Sequence, residues 1–298
     1  MNYTTERYKG SKRFNGQYSE IYRFLLKAAD SGFNEHFHWG RLEWMMVHPL
    51  LETDKLDKIT MFKNEYNETV GLVCFDTLFS DGPYLIHSDN DIELLELMLR
   101  QACTDYGIEG KSATVKIDSS DGAMSSLLIK ENFIKKWREE GVLEISLDRD
   151  FSYALPTGYY LSPKDFICDN YKYQLVIHKG FDHSGEPERW NDELFKPTPN
   201  LNRELKVFAL SSGEYCAHCG VWYTEGDTAY IEPVVTIPQC RGLGLAKAVV
   251  YEALSRAREL GAKRAIVLSS MDFYYSLGFC SSSEFYLWEN DSYKNANI

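Results

Sequence analysis

The chain has 298 residues, 44% of them hydrophobic and 14% aromatic, which is enough to bury a substantial core and to build two domains of ordinary size. Its formal net charge of −12 excludes a general nucleic-acid binder, which needs a basic face to displace counterions, and suits cationic partners instead. The opening stretch MNYTTERYKGSKRF is charged, and no run of about 18 apolar residues follows, so the sequence predicts a cytoplasmic protein with no membrane partner.

In chain order, the aromatic-rich segment HFHWGRLEWMMVHPLL precedes a strand pattern in TVGLVCFDTL, a turn at Ser80-Asp81-Gly82-Pro83, and a strand YLIH. A helix from about Ile92 to Tyr106, a strand SATVKID, a helix near Met124 to Lys130 and a strand GVLEISL complete this half. The stretch 147–163 then breaks the apolar periodicity with two prolines and a glycine, which predicts domains at 1–150 and 151–298.

The second half repeats the plan. A second aromatic segment, HKGFDHSGEPERWNDELF, is followed by two strands around Gly226-Asp227, a helix from Leu245 to Leu260, a strand RAIVLS, a short helix in MDFYYSLGF and a last strand SSEFYLWE. Val73 and Cys219, Tyr84 and Tyr230, and Phe133 and Phe279 share one spacing, so one domain is repeated. Histidines 36, 38, 48, 178 and 183 lie in or beside the two aromatic segments, where packing is the simpler account of each. Seven cysteines at irregular spacing fit a reducing compartment. Cys216-Ala-His-Cys219 is half of a zinc pattern inside a strand, with no second pair to complete it, so no metal is expected.

Chemistry concentrates in EPVVTIPQCRGLGLAKAVVYEAL, residues 232–254. A strand stops, a glycine turn exposes backbone amides, and a helix begins, which together make a place for an anion. Six basic residues against two acids lie between Gln239 and Arg264, in an otherwise acidic chain. A Walker A loop is excluded because no lysine and hydroxyl pair follows the glycines. A dinucleotide fingerprint is excluded because Ala262-Lys263-Arg264 stands where a ribose-binding acid belongs.

The pattern Gln239-x-x-Gly242-x-Gly244 after a strand and Pro238, with FYYSLGF downstream, resembles the GNAT superfamily of acetyl-coenzyme A dependent N-acyltransferases. The resemblance covers about residues 158 to 290 in full, and residues 1–150 in element order only. It implies an α/β protein of two tandem GNAT-like domains, each a mixed, partly antiparallel twisted sheet flanked by helices, with catalysis in the second. It also implies acetyl-coenzyme A as cofactor, held by Thr236, Gln239, Cys240, Arg241, Gly242, Leu243, Gly244, Leu245, Ala246 and Lys247, and by Ser270 and Phe273 near the short helix. Many members carry an asparagine where this chain has Ser269-Ser270.

Acyl transfer to an amine requires a neutral nucleophile, a polarised carbonyl and a protonated leaving thiolate. By resemblance Glu232 is a general base or an amine-binding carboxylate; alternation places it on one strand face with Val234 and Thr236. Tyr274, four residues before Gly278, matches the family's general acid, with Tyr275 as the alternative. Pro233 cannot donate to a ladder and predicts a strand that splays and frees amides. The expected acceptor is a primary amine on a small, cationic molecule, near Trp190, Trp222 and Tyr223, in a monomer or homodimer. A non-catalytic coenzyme A binding module and an aminoacyl-tRNA dependent transferase are the alternatives. In the first half LIHSDNDIELLE replaces the glycine loop, and Asp89 and Asp91 can cap the helix amides, so one cofactor per chain is expected.

Overall fold

A computed structural model describes residues 2–10, 13–29, 34–48, 50–108, 110–187 and 198–292. Its strands and helices in chain order are β1 (Thr4–Arg7), α1 (Gly16–Ala29), α2 (Trp39–Val47), β2 (Thr60–Lys63), β3 (Thr69–Cys74), β4 (Tyr84–His87), α3 (Ile92–Tyr106), β5 (Ala113–Asp118), α4 (Gly122–Lys130), β6 (Ile134–Ser146), β7 (Tyr160–Leu161), α5 (Asn170–Gly180), β8 (Lys206–Ser211), β9 (Glu214–Trp222), β10 (Thr228–Thr236), α6 (Leu245–Glu259), β11 (Arg264–Leu268), α7 (Asp272–Ser276) and β12 (Cys280–Asn290). No described helix is long and apolar enough to cross a membrane.

The chain divides into two compact units. The first comprises residues 1–143, 268–270 and 281–298; the second comprises 144–267 and 271–280. In the first, strands run in the order β1-β2-β3-β4-β5-β12-β6. Antiparallel pairs predominate, with β4 and β5 parallel through Tyr84 and Lys116. Its core is built on Leu72, Val73, Leu85, Ile86, Val115 and Ile117, all almost completely buried. Helix α3 buries Leu94, Leu95, Met98, Leu99, Ala102 and Cys103, the i, i+3, i+4 stripe of an amphipathic helix.

In the second unit the order is β11-β10-β9-β8-β7, with the Glu144–Ser146 end of β6 beside β11. Strands β7 to β10 are antiparallel, and β10 pairs with β11 in parallel. Helix α6 buries Leu245, Ala248, Val249, Ala253 and Ala257. On the α5 side, Val176 and Ile177 pack with Phe208, Leu210, Tyr215 and Val235.

The expected division at 150/151 differs from these units in one instructive place. SSEFYLWE does not complete the second unit: Phe285 to Asn290 of β12 pair antiparallel with Asp118 to Ala113 of β5, in the first. Strand pairing is a long-range choice, and an alternating pattern fixes which face a residue takes but not which strand it joins. Strand β6 also begins earlier than GVLEISL, because its exposed opening, IKKWREE, carries charge at positions where alternation would show apolar residues.

Candidate functional site

Strand β10 is laddered against β11 only at Thr228, Ala229 and Tyr230, whereas its pairing with β9 continues to Thr236. Beyond Tyr230 the two parallel strands part. The sequence places Pro233 in this region, and the register against β9 slips between Ile231 and Val234, so Glu232 and Pro233 both oppose Gly220. A Cβ on Gly220 would lie 2.6 Å from the Glu232 carbonyl oxygen, so the bulge requires glycine opposite it. The Trp222 indole N–H donates to that same oxygen at 2.8 Å.

The bulge corrects the expected face of Glu232. With one extra residue, Ile231, Val234 and Thr236 share the face of Val221, Cys219 and Ala217, while Tyr230 and Val235 share that of Trp222 and His218. The Tyr230 hydroxyl donates to Glu232 Oε2 at 2.6 Å, which places this carboxylate with Tyr230 rather than with Thr236. Thr236 Oγ1 is buried without a hydrogen-bond partner among the described residues.

After β10, Pro238 opens a single 3-10 turn ending at Cys240, and the chain passes through Gly242 and Gly244, both at φ +78°. Only glycine adopts this conformation readily, and nothing lies within 4 Å of the position a Cβ would take at either. Gly244 is the N-cap of α6 and brings no side chain to cap it. The first backbone bond into the helix is Ala248 N–H to Gly244 C=O, so the six consecutive amides of Gly242 to Lys247 have no acceptor among the described residues. Open space, unpaired amides and the positive end of a four-turn helix coincide.

The side chains around the turn divide into two groups. Gln239, Leu243 and Lys247 are exposed, with the Lys247 ammonium 5.1 Å from the Tyr251 ring centre; Ala246 is partly buried and Leu245 is core. Cys240 is buried, its thiol 3.9 Å from the Tyr159 hydroxyl, and burial together with a hydrogen bond to Cys240 pushes the Cys216 thiol up to about 12. Cys240 therefore offers a ligand only backbone. Arg241 reaches back to Thr236 C=O at 3.2 Å, Gly180 C=O at 3.0 Å and both oxygens of Asp182 at 2.9 Å. The basic excess expected along the helix is largely consumed as well: Arg256 bonds Glu252, Glu204 C=O and Ser162 C=O, Lys263 pairs with Asp227, and Arg264 with Glu144. Attraction for an anion thus comes from amides and Lys247, not from a field of arginines.

Tyr274 lies in α7, 7% exposed, with its ring edge-on to Phe273 at 5.0 Å and to Phe279 at 5.4 Å. Tyr275 is 44% exposed. Ser270 falls in the first unit, where its Oγ accepts from Arg138 at 3.2 Å; it is not among the residues that the second unit brings together. Of the aromatics expected at the cleft, Trp222 and Tyr223 are buried, with the Tyr223 hydroxyl on Gly226 C=O at 2.9 Å, and Trp190 lies outside the described residues.

The equivalent place in the first unit is filled. Asp91 caps α3 through Glu93 N–H at 2.9 Å, Asp89 accepts from Asp91 N–H at 3.0 Å, and the Tyr3 hydroxyl donates to Asp91 at 2.9 Å. At the end of β4 the Asn34 side-chain amide bonds both backbone groups of His87, donating to its C=O at 2.7 Å and accepting from its N–H at 3.3 Å. The buried His87 ring meets Asp121 at 2.7 Å. Nothing in the sequence spacing announced Asn34, because it acts as a substitute strand partner from outside the repeat.

Residues 176–279 match the family model of the acetyltransferase (GNAT) family. A GCN5-related N-acetyltransferase from Sphaerobacter thermophilus is 14% identical, with 97% of this chain and 95% of that one covered at a TM-score of 0.57. A GNAT-family acetyltransferase from Colwellia psychrerythraea is also 14% identical, with 97% and 99% covered at 0.57. A tandem GNAT protein from the clavulanic acid biosynthesis pathway is 12% identical, with 97% and 98% covered at 0.56. These likenesses establish the fold, a tandem GNAT arrangement included. No curated protein sequence matches this chain significantly.

Proposed function

We propose that this chain, which carries a GNAT acetyltransferase domain over residues 176–279, transfers an acetyl group from acetyl-coenzyme A to the primary amine of a small, cationic acceptor, with the second unit catalytic and the first without a cofactor of its own. The GNAT family uses acetyl-coenzyme A. The observation that carries the reading is the run of six amides from Gly242 to Lys247 without acceptors, at the point where β10 has parted from β11.

The residues present fit this cofactor. Amides and a helix N-terminus suit a diphosphate, positive-φ glycines leave room for close approach, and the orphaned Thr236 hydroxyl on a parted strand suits an amide-bearing arm. When bound, acetyl-coenzyme A supplies an activated acyl carbon on a thiol leaving group. The chain's own residues do the rest. Glu232, held by the Tyr230 hydroxyl, draws the acceptor ammonium and takes its proton at a carboxylate oxygen. The Tyr274 hydroxyl supplies a proton to the departing sulfur. The burial of Tyr274 favours a second reading, a coenzyme A binding module without turnover.

Initial rates with acetyl-coenzyme A across a panel of primary amines test the proposal. It predicts turnover on at least one alkylamine, with both turnover and cofactor affinity lost in Gly244→Val. Cofactor binding without turnover on any amine favours the second reading, and unchanged affinity in Gly244→Val overturns the loop assignment.

A further inference from the structure

Two buried, free thiols meet beside the glycine turn, and the proposed reaction uses neither. Cys216 is an extra residue in β9: Ala217 pairs with Ala209 of β8 and Tyr215 with Leu210, so the strand bulges at the position between them. Its carbonyl accepts the Ile237 N–H at 3.0 Å, one step past the last β9–β10 pair. The single 3-10 turn then folds Cys240 back, its own N–H on Ile237 C=O at 2.9 Å. A bulge in one strand and a turn after another thus bring the two side chains into contact, and the thiols share a hydrogen bond.

The two cysteines are held differently. Strand β9 is paired with β8 on one side and β10 on the other, so Cys216 sits on a backbone that yields little. Cys240 sits in a turn whose neighbours Gln239 and Arg241 are exposed, and the hydroxyl of half-buried Tyr159 lies 3.9 Å from its sulfur. A water-sized oxidant therefore comes to Cys240 from the turn, with Cys216 behind it. The thiol of Cys216 stays protonated at neutral pH, since burial and its bond to Cys240 push it up to about 12.

We propose that Cys216 and Cys240 form a reversible disulfide that regulates the glycine turn, an inference that rests on the reading of this turn as the acetyl-coenzyme A site. With hydrogen peroxide as the oxidant, Cys240 Sγ gives up its proton and attacks one peroxide oxygen. The O–O bond breaks, leaving a sulfenic acid and one water. Cys216 Sγ then attacks the Cys240 sulfur, the S–O bond breaks, and the hydroxyl departs with the Cys216 proton as a second water. The two sulfurs have lost two electrons to the peroxide, and a dithiol returns them. Bonded sulfurs lie about 2.05 Å apart, well inside hydrogen-bond contact. Because β9 is held on both sides, the turn is what moves, and the amides of Gly242 to Lys247 move with it. Loss of one amide bond to a charged oxygen weakens binding about tenfold or more.

Two measurements on the full chain, before and after hydrogen peroxide, test this: peptide mapping with the remaining thiols alkylated, and titration calorimetry with acetyl-coenzyme A, whose sulfur is blocked as a thioester. The expected result is a Cys216–Cys240 cross-link and acetyl-coenzyme A binding weakened about tenfold or more, both reversed by dithiothreitol. Cys216→Ser is expected to bind like the reduced wild type and to keep that affinity after peroxide; thermal melts check that it folds, and Cys216→Ala takes its place if it does not. Absence of the cross-link, a cross-link with unchanged affinity, or the same weakening in the Cys216 variant overturns the proposal. Failure of the reduced wild type to bind acetyl-coenzyme A overturns the reading of the turn and the regulation with it, and the peptide map distinguishes that failure from a missing cross-link.

Discussion

Tyr274 carries the sharpest prediction at the scale of single residues. A hydroxyl that donates a proton to a leaving thiolate is worth on the order of 100-fold in rate or more, whereas its contribution to holding the cofactor is small. Tyr274→Phe is therefore expected to lower kcat about 100-fold with the KM for acetyl-coenzyme A nearly unchanged. Steady-state kinetics check this, and a loss in Tyr275→Phe instead moves the role one position along α7. A second residue-scale expectation concerns His218, fully buried and stacked on Phe208 at 4.3 Å. Burial pushes its imidazole down to about 3, from the ordinary value near 6.5. Because the folded value is the lower, the unfolded chain binds the proton first, and this histidine's contribution to stability is complete above pH ~6.5 and is lost as pH falls toward the folded value. A proton titration of its ring signal by NMR should show no inflection above pH ~4; one near 6.5 contradicts the buried placement.

At the scale of elements, the bulge in β10 is the feature to perturb. Gly220→Ala places a methyl group against the Glu232 carbonyl, and overpacking of this kind costs about 1–3 kcal/mol. The variant is expected to melt lower and to shift Glu232, so that amine KM rises more than cofactor KM. Equal melting temperatures contradict the assigned register. Much at this scale is legible from sequence. The helix periods of α3 and α6, the β9–β10 hairpin around Gly226-Asp227 and the Gly242-x-Gly244 turn follow from spacing and turn chemistry. The face of Glu232 does not: counting by twos fails across a bulge, and Pro233 signals an interruption without saying that it adds a residue to the register. Nor does the engagement of Arg241, whose partner Asp182 is 59 positions away in the chain.

For the molecule as a whole, a repeated fold does not mean a repeated site. The two units share an element plan, and the sequence displays this as a common spacing of matched residues. What it could not display is the partner of β12 or the role of Asn34, both set by contacts between distant segments. In the second unit the amides of Gly242 to Lys247 stand without acceptors among the described residues, while in the first Asp91 caps α3 and Asn34 satisfies the end of β4. Charge agrees, since Asp89 and Asp91 would confront a diphosphate at close range. The claim that the glycine turn, and not the shared fold, makes the cofactor site is tested most directly by titration calorimetry of the full chain with acetyl-coenzyme A. The account predicts a stoichiometry of about one per chain; a value near two, or no binding at all, would contradict it.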